Sequence, residues 1–181
     1  MARLTKTWFC GGDVGGFRIR GIQSVKGPGL PDAARLHVGE LLDRAEGITW
    51  TFGGVATHLR YTAREEKETL ASLQPPLGRP ESTSAVLIPI TKSGAWWDLA
   101  QDERRTILEQ RSKHIETGRE YLPAIARKLY HGRELGEPFD FLTWFEFAPK
   151  DERKFDELLQ RLRRTEEWTY VEREVEIRLT R

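Results

Sequence analysis

The sequence predicts an α+β protein whose helices lie on one face of an antiparallel sheet, and three observations point to it. The C-terminal part alternates strand and helix patterns in the order β-α-β-β-α-β, the split-βαβ or ferredoxin-like unit. The N-terminal part reads as a degenerate version of that unit, β-β-α-β-α, although no residue-level repeat is visible. Between them, QPPLGRPE at residues 74–81 concentrates three prolines and a glycine, which marks a boundary between an N-terminal lobe, residues 1–73, and a C-terminal lobe, residues 74–181.

Each element has a local reason. FRIRGIQSV at residues 17–25 alternates apolar and polar side chains, and the glycine-rich CGGDVGG before it reads as a tight hairpin link to TKTWF, giving a strand pair. GPGLP breaks the chain at residues 27–31. Asp32 can then cap a helix in which Leu36, Leu41 and Leu42 form an apolar face until Gly47. ITWTFGGVATHLRY at residues 48–61 is β-branched and aromatic, hence a strand, with Gly53 and Gly54 marking a bulge or bend, and a short charged helix follows at residues 63–73.

Beyond the boundary, SAVLIPI at residues 84–90 is a short apolar run suited to a strand buried on both faces. Residues 102–121 read as one long charged helix, residues 122–131 as a strand and residues 132–138 as a turn. FDFLTWFEF at residues 139–147 is an aromatic strand, residues 150–164 a helix, and VEREVEIRL at residues 171–179 a strand that alternates strictly except at Arg173.

Composition narrows the function. At 181 residues, with 38% apolar and 31% charged side chains, the chain can bury a core under a well-solvated surface. The net charge of +1 supplies no global field for nucleic acid or an anionic membrane, so any anion binding must be local. No run of about 18 apolar residues is present, and MARLTKTWFCGG lacks the apolar core of a secretory leader, so a cytoplasmic location is expected. Cys10, the single cysteine, rules out an internal disulfide and any cysteine-rich metal or iron–sulfur site.

The four histidines, His37, His58, His114 and His131, form no HExxH or closely spaced pair, which argues against a hydrolytic zinc centre. GGDVGG lacks the Lys-Ser/Thr of a phosphate loop, and WFEFAP lacks the pattern of an RNA-stacking sheet. Within the long helix, Ile107, Arg111, His114, Gly118 and Tyr121 fall on one stripe. An imidazole there can ligate a metal held against the sheet, or can be an ordinary half-buried, hydrogen-bonded histidine; Gly118 leaves room for something flat and large. Arg127 sits in the apolar LPAIARKLY, where a guanidinium keeps its proton and needs an anion, a hydrated cavity or a salt bridge to the carboxylates of TEEWTYVERE.

Taken together, QPPLGRPE, LIPITKS, WWDLAQDERR, YLPAIARKLYHGRELGEPFDFLTWFEFAP and TEEWTYVERE resemble the chlorite dismutase family over nearly all of residues 74–176. Before Gln74 the likeness rests mostly on GVATHLRYTAREEK, and the short N-terminal half resembles the compact, dimeric branch, with a dimeric α+β barrel fold. The resemblance implies haem b as cofactor and a homodimer acting on chlorite and similar small anions. It implies His114 as the iron ligand, Glu167 as acceptor for the other ring nitrogen, and Lys92 as partner of that carboxylate or of a haem propionate. It implies Arg127 as the distal cation, Gln74 as the residue that hydrogen-bonds Arg127 when it swings from the iron, and Trp96, Trp97 and Trp144 in and around the haem cavity. The reaction so implied passes an oxygen from chlorite to ferric haem, giving a ferryl species and hypochlorite that recombine into chloride and molecular oxygen. Two positions depart from the compact branch, Lys113 where a histidine is frequent and Gly132 where a cysteine is common. Coprohaem decarboxylation is the rival enzyme reading, which Arg127 argues against. Haem sensing without turnover and a haem-free pocket for a small organic molecule are the others.

Overall fold

The computed structural model describes residues 5–43, 46–56 and 74–181. The expected helix at residues 63–73, the end of the preceding strand and His58 lie outside the described residues. Eight strands, β1 (Lys6–Gly12), β2 (Phe17–Lys26), β3 (Arg35–Gly39), β4 (Ile48–Val55), β5 (Ser84–Lys92), β6 (Ala126–His131), β7 (Phe141–Phe147) and β8 (Val171–Thr180), form a closed antiparallel barrel in the order β1-β3-β2-β8-β5-β7-β6-β4. Four strands come from each side of residue 74, and the seams between the two sets are β2–β8 and β4–β6.

Side-chain alternation sorts the sheet into two apolar layers. Phe9, Leu36, Phe52, Leu87, Leu142, Trp144, Val175 and Ile177 fill the barrel interior. On the outer face Val86, Ile88, Phe145 and Phe147 pack against Phe155, Leu158 and Leu159 of the helix Glu152–Leu162. The apolar run of β5 is thus buried on both faces, as its composition predicts.

The N-terminal half corrects three expectations. Residues 35–39 form a strand instead of a helix, because period-two Leu36 and Val38 let Leu36 enter the barrel core while the backbone pairs with β1 on one side and β2 on the other. Strand β3 therefore sits between β1 and β2, which are not a hairpin pair. The register of β1 against β4 runs unbroken through Gly53 and Gly54, with its shift at Gly11/Gly12 instead. Gly54 answers to close approach: a Cβ there would lie 2.7 Å from the Cβ of Tyr130 on the neighbouring strand.

The predicted long helix at residues 102–121 is also broken. It comprises α1 (Gln101–Arg105), a π-helical stretch Thr106–Arg111 and α2 (His114–Arg119), preceded by a short turn of helix at Gly94–Asp98. The amide of Ser112 reaches back five residues to the Ile107 carbonyl at 3.0 Å, and Lys113 then adopts a left-handed conformation at φ 50°. The predicted stripe does not survive this break: Ile107 is buried, whereas Arg111 points outward to pair with Glu166. The last helices are α3 (Glu152–Leu162) and α4 (Glu166–Thr169).

Candidate functional site

Strand β6 places Arg127 and Leu129 on the sheet's outer face while Tyr130 enters the barrel, and β7 places Thr143 and Phe145 beside them. Together with Ile88 and Ile90 of β5 these residues floor a cleft of about 100 Å³ that opens to solvent. Leu159, Leu162 and Arg163 of the α3 region roof it, and His114, Glu167 and Trp168 close one end. His114 and Arg127, 13 residues apart in sequence on α2 and β6, thus line one mostly apolar space.

The break orients His114. The Glu109 side chain accepts the Ile115 amide at 2.9 Å, satisfying a donor that the first turn of α2 leaves open. The buried Nδ1 of His114 lies 3.6 Å from Oε2 of Glu167, which leaves Nε2, on the far side of the ring, for a ligand in the cleft. Glu167 is set by a local cap: Thr165 Oγ1 accepts the Trp168 amide at 3.4 Å, starting α4, and the Glu167 amide donates to Ser112 Oγ at 3.0 Å. Its Oε1 accepts from Lys92 Nζ, itself buried and 4.6 Å from the centre of the Trp96 ring. Burial alone would raise the Glu167 pKa, but the Lys92 charge, followed by His114, outweighs it and holds the carboxyl at about 2. The carboxylate is therefore ionised and faces the His114 ring.

Arg127 has the opposite surroundings. Burial lowers its pKa, and the charge of Glu109 only partly offsets this. Among the described residues no acceptor meets its guanidinium, so the salt bridge to the C-terminal carboxylates does not form. Those carboxylates have their own cation, since Arg163 binds Glu174 at 2.5 Å and Glu176 at 2.7 Å. A partly buried guanidinium with no acceptor among the described residues, facing an apolar cleft, attracts a small anion.

The structure distributes the other sequence candidates unevenly. Gln74 donates to the main-chain carbonyl of Arg127, not to or from its guanidinium. Trp144 alternates with Thr143 and Phe145 and so points into the barrel, where its Nε1 donates to Glu146 at 2.9 Å. Trp96 is buried between Lys92 and Tyr170, and Trp97 stacks on Phe141, donates to Asp140 at 3.2 Å and lies under Arg133. None of the three tryptophans is among the described residues lining the cleft, although Trp96 lies against Lys92, the partner of Glu167. Gly118 does leave space, but next to Arg127: a Cβ there would lie 3.7 Å from Nη1.

Sequence reasoning missed Ser112, Glu109, Trp168 and the Arg163–Glu174 pair. The pair had a signal. Strict alternation in VEREVEIRL puts Glu174 and Glu176 on the face opposite Val175 and Ile177, which must be buried once helices cover the sheet and so demands a cation.

The residues present fit a haem. One imidazole with a buried carboxylate behind it is an axial-ligand arrangement, and Ile88, Ile90, Leu129, Phe145, Leu159 and Leu162 offer apolar walls to a flat ring.

Comparison with known proteins agrees with this geometry. The profile of the chlorite dismutase family matches residues 35–181. A crystal structure of dimeric chlorite dismutases from Nitrobacter winogradskyi is 54% identical, with a TM-score of 0.91, and the match covers 97% of this chain and 99% of that one. A chlorite dismutase from Ideonella dechloratans is 36% identical over 62 residues, a match spanning 34% of this chain but only 20% of that protein. A mutant chlorite dismutase from Candidatus Nitrospira defluvii shares the fold at 19% identity, with a TM-score of 0.69 and coverage of 97% of this chain and 90% of the other.

Proposed function

The chain belongs to the chlorite dismutase family, and on that premise we propose that it decomposes chlorite to chloride and molecular oxygen with a haem b held by His114. The observation that carries this reading is the pairing, in one cleft, of an imidazole backed by an ionised carboxylate with a guanidinium that has no acceptor among the described residues.

His114 Nε2 would bind the iron, while Glu167, fixed by Lys92 and Ser112, holds the proton on Nδ1 and makes the imidazole more basic. When bound, haem supplies the redox chemistry by which oxygen leaves chlorine and the O–O bond forms. Arg127 draws chlorite into the cleft and retains hypochlorite by charge, so that it recombines instead of escaping to oxidise the protein. The Gln74 contact fixes the backbone from which the Arg127 side chain swings. A homodimer is the assembly we expect, by analogy with the dimeric relative.

The test is oxygen evolution from chlorite by purified, haem-loaded protein, followed with an oxygen electrode beside an Arg127→Ala variant. Rapid oxygen release with matching chloride is expected, and the variant should retain haem yet inactivate after fewer turnovers. An unchanged total oxygen yield would remove Arg127 from the confining role. Haem binding without any oxygen would turn the reading toward porphyrin modification or haem sensing.

A further inference from the structure

The segment QPPLGRPE, which the sequence marks as a boundary between lobes, lies against the start of β6. Two of its side chains donate to main-chain carbonyls there, Gln74 Nε2 to that of Arg127 and Arg79 Nη2 to that of Ala124 at 2.9 Å. Positions 74 and 79 meet 127 and 124 in reverse order, so the segment runs antiparallel to the chain entering β6. A third contact ties it to β7: the Gly78 amide donates at 2.6 Å to Glu146, the residue paired with Ala126. Gln74 already has a part beside Arg127, whereas Arg79 has none. Its side chain is only 21% exposed, its buried Nε has no acceptor, and its one other partner among the described residues is the exposed Glu81 at 3.7 Å. This largely desolvated guanidinium is therefore committed to one carbonyl, three residues ahead of Arg127, and a bond from a charged donor is the stronger kind. Ala124 also packs against the apolar layer that contains Phe145, so the anchor holds the chain against the floor of the cleft.

We propose that Arg79 is a positioning residue for Arg127: by holding the Ala124 carbonyl it sets where the chain enters β6, and so where the Arg127 guanidinium stands and how tightly the cleft holds a small anion. The inference rests on the reading of Arg127 as the anion-attracting cation in a cleft whose haem is held by His114. Arg79 is not among the described residues lining that cleft, so it acts only through the backbone. Small displacements suffice, because charge-assisted contacts weaken steeply once distance and angle are lost, and misplacement of a binding group by about 1 Å is costly even when its cause is remote.

Fluoride, a small anion that ligates ferric haem, tests this when titrated into the haem-loaded protein and followed by absorbance. Arg79→Ala is expected to raise the fluoride Kd roughly tenfold, and Arg79→Lys, which keeps a cationic donor for the carbonyl, to restore most of the affinity. In an Arg127→Ala background the Arg79 substitution should change nothing further, since residues that act through one another are not additive. An unchanged Kd in Arg79→Ala would overturn the proposal. So would an equal loss in both backgrounds, which would make Arg79 a remote charge and not a positioner. Should Arg79→Ala not fold, Arg79→Gln, which keeps polarity but is too short to replace Nη2, is held to the same outcomes. Fluoride affinity indifferent to Arg127→Ala would remove the reading of Arg127 and the proposal with it. The expected fluoride pattern in a protein that evolves no oxygen from chlorite would uphold Arg79 as a positioner and sink the chlorite reading alone.

Discussion

The barrel interior and the layer between the sheet and its helices are built from the same strands, yet they differ in what they tolerate. The interior is sealed by aromatic and aliphatic side chains such as Phe9, Phe52 and Trp144. The outer layer mixes an apolar floor with charges in three arrangements: the buried Lys92–Glu167 pair, the Arg163–Glu174–Glu176 cluster, and Arg127 with no acceptor among the described residues. Side chains one residue apart on β6 and β7 thus serve different ends. The inward ones hold the fold, and the outward ones make a site whose electrostatics oppose stability.

Substitutions can break that comparison or sharpen it. The largest loss is expected inside the barrel, where Trp144→Ala should cost about 4 kcal/mol through lost burial and a residual cavity, measured by urea unfolding. A loss below about 1 kcal/mol would mean that the interior yields as readily as the outer layer. Next, Glu167→Gln should cost about 3 kcal/mol, because it strands the Lys92 ammonium without its counter-charge. The same variant reports on acid stability. Glu167 is held at about 2, below the ordinary carboxylate value of 4.5, so its contribution is present above 4.5 and lost as pH falls toward 2. Haem-free wild type should therefore destabilise more steeply than the variant in that window, and parallel acid curves would dismiss the ion pair as a source of stability.

Arg127→Leu should act with the opposite sign. Removing a desolvated cation that has no acceptor among the described residues is expected to stabilise the chain by about 1 kcal/mol while abolishing efficient chlorite turnover. A variant that is destabilised instead would show that the guanidinium is satisfied in solution. The smallest effect belongs to the helix break: Lys113→Gly should raise stability by about 1 kcal/mol or slightly less, because glycine relieves the left-handed backbone at φ 50°. Thermal unfolding measures it, and a drop in midpoint would place Lys113 outside the left-handed region.

Much of this arrangement could be read from the residues. The aromatic run of β7 and the apolar run of β5 appear where their composition predicts, and His114, Arg127, Lys92 and Glu167 converge on one region. What misled was local pattern without its neighbours. Leu36, Leu41 and Leu42 suit a helix until β1 and β2 offer Leu36 a place between them. Nothing about a lysine announces a left-handed residue, so the kink before His114 was invisible.

The sequence by itself determined the α+β class, the strand periodicity and the identity of the ionisable groups, because these follow from side-chain chemistry and from repeats of two and 3.6 residues. The tertiary structure alone decided which strands are neighbours, which face of β6 bears Arg127 into the cleft, and which cation meets which carboxylate. Those outcomes depend on barrel closure and on contacts between residues as far apart as Lys92 and Glu167, where distance along the chain carries no information about distance in space.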